Sequence, residues 1–238
     1  PGYYRLDLKA EPAISARAYL LADLETGEVL ASRKPNSVYS IASITKLMTA
    51  LVALETINQT DLITMSAGEK LAAADLLYPL LLESSNEAAE ALARSYGRER
   101  FITLMNKRAA AIGLDQTSFA DPSGLDEANR STARDLFRFA DYLYRYKRSP
   151  INLTQVPQKR HGQHLWLNNN YLVGAVGYLG GKTGQTTAAR ETLLALFNAE
   201  LSDGSRRPIG LVLLQSDNRD ADVEALLRYL KTMVDYRP

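Results

Sequence analysis

The sequence predicts an α/β (α+β) fold: an antiparallel sheet built from both chain ends and flanked by helices, with an all-helical lobe inserted between. Three observations carry this expectation. Strand-like runs lie near both ends of the chain, helix-period patterns fill the middle, and a last amphipathic segment follows the second group of strands. The 238 residues suit a single domain, 1–238, with a sheet lobe over about 1–60 and 165–238 and a helical lobe over about 61–164. No internal repeat or low-complexity segment is present.

Residues 18–23 (Ala-Tyr-Leu-Leu-Ala-Asp) and 28–33 (Glu-Val-Leu-Ala-Ser-Arg) read as a hairpin. Glu25-Thr26-Gly27 supplies its turn, with Gly27 free to take positive φ. After Pro35 and Asn36 a short polar stretch leads into an apolar-periodic helix from about Ser43 to Ile57. Residues 58–74 are polar and read as loop. Asp75 is the expected N-cap of a helix running to about Glu83, with Pro79 in its first turn, where a missing N–H matters least. Helices are expected at about 86–96, 98–112 and 131–147, the last capped by Ser131 or Thr132, and Asp121-Pro122-Ser123-Gly124 marks a turn. Strands near 176–183, 189–198 and 207–215 precede a helix at about 220–234.

Composition excludes several kinds of function. Apolar residues make up 46% and charged residues 23%, which supports a packed core rather than disorder. The net charge is +1, so neither nucleic acid nor an anionic membrane surface is an expected partner. Cysteine is absent, which removes disulfides, thiolate nucleophiles and cysteine-ligated zinc. His161 and His164 sit together without a spaced partner, so no metal cage is expected, and no cofactor is implied. Serine chemistry in this chain needs a base other than histidine unless one of those two serves. No apolar run approaches the ~18–20 residues needed to span a bilayer. The sequence begins Pro1-Gly2-Tyr3-Tyr4, and the expectation is that an export signal or anchor was removed, or that the chain was trimmed.

Three short motifs carry chemistry. In Ser43-Ile44-Thr45-Lys46 the lysine lies one helical turn after the serine, so its amine can reach the serine Oγ. Burial and a second cation would hold that lysine neutral and make it a base for the serine. Ser84-Ser85-Asn86 falls at a break between helices, where a cap is the plain structural role. Its chemical role would be a proton relay through the Ser84 hydroxyl and a substrate contact through the Asn86 amide. Lys182-Thr183-Gly184 lies on an expected strand after Gly180-Gly181. There Gly184 would let a substrate backbone pair as an added strand, while Thr183 and Lys182 offer a hydroxyl and a cation to a carboxylate. Singly each motif also fits a structural role, and it is their occurrence together, in this order and each on its expected element, that is uncommon.

These motifs resemble those of the low-molecular-mass penicillin-binding proteins, the serine-type D-alanyl-D-alanine carboxypeptidases of the β-lactamase/transpeptidase-like superfamily. The resemblance runs through residues 41–50, through Leu76-Leu77-Tyr78 and 84–89, and through Phe119 to Leu125. It continues in Ser131-Thr132-Ala133-Arg134-Asp135-Leu136 and Gly181-Lys182-Thr183-Gly184. It implies that Ser43 attacks the carbonyl between two D-alanines of a peptidoglycan stem peptide, with Lys46 taking its proton and Ser84 passing it to the leaving D-alanine. Asn86 and Lys182 would orient substrate and shared protons, and Thr183, helped by Arg219, would meet the terminal carboxylate. The N–H groups of Ser43 and Gln185 would form the oxyanion hole. β-Lactam antibiotics would acylate the same serine. The site of action implied is extracytoplasmic, periplasm or cell surface, with a membrane anchor possible outside this chain.

Three departures stand against the family pattern. The stretch from Ser43 to Ser84 is short, around Met65 to Lys70. Gln185 stands where an aromatic residue or histidine is more familiar. The β-rich second domain and anchor helix common in the family are not expected within these 238 residues, which leaves membrane attachment undecided. Competing expectations are a class A-like β-lactamase, with Glu127 as the candidate deacylating carboxylate, a DD-endopeptidase, and a non-catalytic peptidoglycan-binding or sensor module.

Overall fold

The structure is a computed structural model that describes residues 2–7 and 12–237. The chain enters through β1 (Gly2–Arg5), β2 (Ala18–Asp23), β3 (Val29–Arg33) and β4 (Tyr39–Ser40), then a 3₁₀ turn (Ala42–Ile44) and α1 (Thr45–Thr56). The hairpin β5 (Leu62–Thr64) and β6 (Lys70–Ala72) leads into α2 (Ala73–Leu81), α3 (Asn86–Tyr96) and α4 (Arg98–Ile112). Next come β7 (Arg130–Ser131), α5 (Ala133–Tyr146), α6 (Ser149–Leu153) and a second hairpin, β8 (Gln158–His161) and β9 (His164–Leu167). The remainder is β10 (Tyr178–Thr186), β11 (Arg190–Glu200), β12 (Arg206–Ser216), α7 (Arg219–Met233) and β13 (Val234–Arg237).

The main sheet has five strands in the order β10-β11-β12-β2-β3, antiparallel at every pairing. It is therefore assembled from both ends of the chain. β12 lies at its middle, and every residue from Pro208 to Ser216 is buried. That explains why this strand reads as a continuous apolar run although its neighbours are antiparallel: both faces are covered. Period two then sorts the side chains. Leu20, Leu194, Leu196, Val212 and Leu214 join the core beneath α1 and α5. Leu21, Leu193, Phe197, Leu211 and Leu213 face the other way, against Val223, Leu226 and Leu230 of α7.

α1 is the hub on the first side. It is buried without a break from Thr45 to Ala53 and packs on α2, α3, α4 and α6. α5 packs directly on β12, β2 and β11. Thr132 caps α5 by accepting from Asp135 N, and Ser85 caps α3 by accepting from Ala88 N.

Several expectations need correction. Residues 58–74 are not all loop: Leu62-Ile63-Thr64 alternates exposed, buried, exposed and pairs with β6, and Met65 N donating to Glu69 O closes a tight turn. The short Met65–Lys70 stretch is thus a finished hairpin. Asp75 does not cap α2. The helix begins at Ala73, and Asp61 O and Gln59 O accept from Ala73 N and Ala74 N, doing the work of a cap. Pro79 consequently lies in the last turn of that helix, not the first. Ser43 precedes α1, in the 3₁₀ turn. The β8–β9 hairpin and the β1–β13 pair had no counterpart in the expectations from sequence. Among the described residues no helix is long and apolar enough to cross a membrane.

Candidate active site

The turn bearing Ser43 is pressed between two backbones. Ala42 sits at a φ of +48°, a left-handed conformation uncommon for a residue with a Cβ. On one side is Gly124: a methyl group there would lie 2.0 Å from Ala42 O. On the other is Gly184 of β10, where a methyl group would lie 2.8 Å from Ser43 N and 2.6 Å from Thr192 Oγ1. Glycine is demanded at 124 and 184 by close approach, and Gly124 also needs its φ of +87°. These contacts place Ser43 at the seam between the sheet edge and the helices.

Lys46 is fully buried behind Ser43. Its Nζ donates to Ser43 Oγ at 2.9 Å, Asn86 Oδ1 at 2.7 Å and Ser123 O at 2.6 Å. Asn86 Oδ1 and Ser123 O can only accept, while Ser43 Oγ can do either. When Lys46 loses a proton, its two remaining N–H groups stay on the carbonyl oxygens and the lone pair faces the serine hydroxyl. Burial lowers the Lys46 amine to about 8, although the Asp121 carboxylate pulls the other way. Asp121 is held ionised, below the usual carboxylate range. Burial alone would raise it, but it accepts from Asp126 N, Gly124 N, Ser123 N and Ser123 Oγ. Lys182 is likewise buried and is lowered to about 7, first by burial and then by repulsion from Lys46 and Arg219.

In front of Ser43 is a cleft of about 290 Å³, lined by Ser43, Ser84, Asn169, Lys182, Thr183, Gly184, Gln185 and Arg219. Ser84 occupies a φ of +63°, and its Oγ is buried without a hydrogen-bond partner. Strain of this kind costs about 1–3 kcal/mol, and a buried orphan hydroxyl adds to it; both collect at functional sites. Arg219 donates from Nη1 to Gly184 O at 3.2 Å and Thr192 O at 3.4 Å, which carries its guanidinium to the end of the Lys182-Thr183-Gly184 strand. β10 is the edge of the sheet, so its outer main-chain groups are open to pair with an extended ligand.

The structure thus brings every candidate into one place: Ser43, Ser84, Lys182, Thr183, Gly184, Gln185 and Arg219 line the cleft, buried Lys46 sits behind Ser43, and Asn86 joins them through the Lys46 amine. Glu127 is exposed and not among the lining residues, which include no carboxylate. The histidines are elsewhere. His161 Nδ1 faces Asp75 at 3.3 Å, His164 Nε2 faces Glu69 at 2.6 Å, and both rings stack near Trp166. Two site residues were missed from sequence. Asp121 was read only as a turn former, and Asn169 carried no signal beyond its place in a run of three asparagines.

Comparison with known proteins identifies a family and a fold. The sequence pattern described as D-alanyl-D-alanine carboxypeptidase matches residues 7–67 and 58–215. A D-alanyl-D-alanine endopeptidase from Pseudomonas aeruginosa is 32% identical over 94% of this chain and 80% of its own length. A D-alanyl-D-alanine carboxypeptidase from Mycobacterium tuberculosis is 33% identical over 75% of this chain and 69% of its own length. Among solved structures, a D-alanyl-D-alanine carboxypeptidase from Mycobacterium tuberculosis superposes with a TM-score of 0.82 at 27% identity, covering 94% of both chains. The ampicillin-bound penicillin-binding protein D2 of Listeria monocytogenes gives 0.83 at 25% identity, over 93% of this chain and 99% of that one. With a serine, two buried lysines and an edge strand around one cleft, and with that match along most of its length, the chain belongs to the D-alanyl-D-alanine carboxypeptidase family of serine enzymes.

Proposed function

We propose that this chain removes the terminal D-alanine from peptidoglycan stem peptides through an acyl-enzyme on Ser43. The observation that carries the reading is the set of partners around Lys46: two obligate acceptors and the Ser43 hydroxyl, with the amine lowered to about 8. In this mechanism the substrate's C-terminal strand lies along β10. Neutral Lys46 takes the Ser43 proton as Oγ attacks the carbonyl between the two D-alanines. The N–H groups of Ser43 and Gln185 hold the oxyanion. The amide C–N bond breaks as Ser84 passes a proton to the departing amine. Lys182, Thr183 and Arg219 bind the terminal carboxylate, and the Asn86 amide nitrogen, with its oxygen committed to Lys46, donates to the substrate. Water then cleaves the ester. β-Lactams enter by the same attack, and with no carboxylate lining the cleft their acyl-enzyme is released slowly. Such chemistry acts outside the cytoplasm, where the polymer is.

A second reading is endopeptidase action on D-alanyl cross-links, favoured by the name of the Pseudomonas aeruginosa relative and by the exposed Gln185 at the cleft rim. Acyl transfer is the same in both; they differ in whether the leaving group is free D-alanine or a peptide amine. The test is intact-protein mass spectrometry with benzylpenicillin beside a Ser43→Ala control. A covalent adduct absent from the control supports the nucleophile. No adduct on folded wild-type protein would leave a binding module as the better account.

A further inference from the structure

The conformation of Ser84 is set from outside its own helices. The carbonyls of Leu82 and Glu83 follow the end of α2 and have no partner within that helix. Both are taken by one residue: Asn169 N donates to Leu82 O at 3.0 Å, and Asn169 Nδ2 donates to Glu83 O at 3.1 Å. The neighbouring Leu167 N donates to the Glu83 carboxylate at 3.2 Å. The two peptide units before Ser84 are thus fixed by the segment after β9, and Ser84 follows at its φ of +63°.

The residues on either side anchor that segment. Asn168 Nδ2 donates to Thr154 O and Val156 O, each at 2.9 Å, so it is tied to the end of α6. Asn170 Nδ2 donates to Tyr178 Oη at 2.8 Å, on the strand that carries Lys182. Three consecutive asparagines therefore hold three different pieces of the molecule, and the middle one holds the Ser84 wall of the cleft at a set distance from the Lys182 wall.

Building on the acyl-transfer reading above, we infer that Asn169 is a positioning residue for Ser84: its paired donation to Leu82 O and Glu83 O holds the Ser84 hydroxyl where it relays the proton between the nucleophile and the leaving group. Asn169 also borders the cleft, so a direct hold on substrate is the alternative that the test must separate.

A double-mutant cycle separates them. Acylation rates with benzylpenicillin are measured by intact mass for wild type, Asn169→Ala, Ser84→Ala and the double variant, alongside thermal melting of each. Asn169→Ala is expected to slow acylation about tenfold, the effect of one lost hydrogen bond on a positioned group. In the Ser84→Ala background the same change is expected to do nothing further. A tenfold loss that persists without Ser84 overturns the proposal in favour of substrate contact, and an acylation rate unchanged in Asn169→Ala overturns it outright. If Asn169→Ala does not fold, Asn169→Ser, which keeps a shorter donor, is carried through the same cycle. Failure of wild type to acylate at all would count against the acyl-transfer reading itself and is seen in the first sample.

Discussion

Replacing Gly184 with alanine adds one methyl group where three atoms already stand. It would lie 2.6 Å from Thr192 Oγ1, 2.8 Å from Ser43 N and 2.9 Å from Ala42 Cβ, all inside contact distance. Gly184 is not at positive φ, so the cost is one of space and not of backbone conformation. Thr192 is pinned by its donation to Ile41 O, and Ala42 is held on its far side by Gly124. The yielding part is therefore the Ser43 turn or β10 itself, and either motion opens the gap between nucleophile and edge strand. Overpacking of this kind costs about 1–3 kcal/mol of stability, or about 2–4 °C in Tm per kcal/mol for a chain of this size. A displacement approaching 1 Å at a reacting atom costs about 100-fold in rate. Gly210→Ala is the control: its methyl would meet the Phe137 ring at 2.8 Å, within the same sheet but away from the cleft. Stopped-flow acylation by a chromogenic cephalosporin should fall about 100-fold in Gly184→Ala and stay near wild type in Gly210→Ala, with both melting lower. An acylation rate within about twofold of wild type in Gly184→Ala would refute the close-packed seam as the support of Ser43.

Other outcomes follow from the same geometry. Lys46→Arg should lower acylation by about 10²–10⁴-fold, since a guanidinium keeps its proton; a near-normal rate would remove lysine from the base role. The wild-type acylation rate should climb with pH, pass its half-maximum near about 8 and level off above that, as Lys46 becomes neutral; a rate falling over pH 6–8 contradicts that assignment. Folding stability should rise over pH 7–9: Lys46 and Lys182 titrate at about 8 and about 7 when folded, below the ordinary 10.5, so the unfolded chain binds more protons there. Urea melts that show the opposite slope would deny that these amines are buried near neutral. Arg219→Leu should reduce kcat/KM about 10–100-fold on a peptide ending in a free D-alanine carboxylate, and little on the corresponding amide; equal losses on both would place Arg219 outside carboxylate recognition.

The parts that were legible in sequence are those with a local signature or an unbroken apolar run. Ser43 and Lys46 stand one turn apart, so their contact follows from spacing. The strand expected near 207–215 was announced by the apolar run Ile209 to Leu214, and the structure places it at Arg206–Ser216. Where a tertiary partner replaced a local one, the pattern misled. Asp61 O and Gln59 O took over the capping of α2, leaving Asp75 free to face His161. The β8–β9 hairpin has polar, mostly exposed residues in Gln158–His161, so no alternation marked it. Asp121 looked like an ordinary turn residue because its hydrogen bonds are those of a turn; its effect on Lys46 exists only once Ser123 O has folded onto the amine. Asn169 shows the same limit, since its value lies wholly in which carbonyls happen to end beside it.

Ser84 also bears on the trade between stability and chemistry. A left-handed φ costs a residue with a Cβ about 1–2 kcal/mol, and glycine escapes that cost while giving back about 0.5–1 kcal/mol through its freer unfolded state. Ser84→Gly should therefore leave the protein as stable or more stable while removing the hydroxyl from the cleft. Stability alone thus favours glycine at this position, and the serine hydroxyl stands there against a cost in stability.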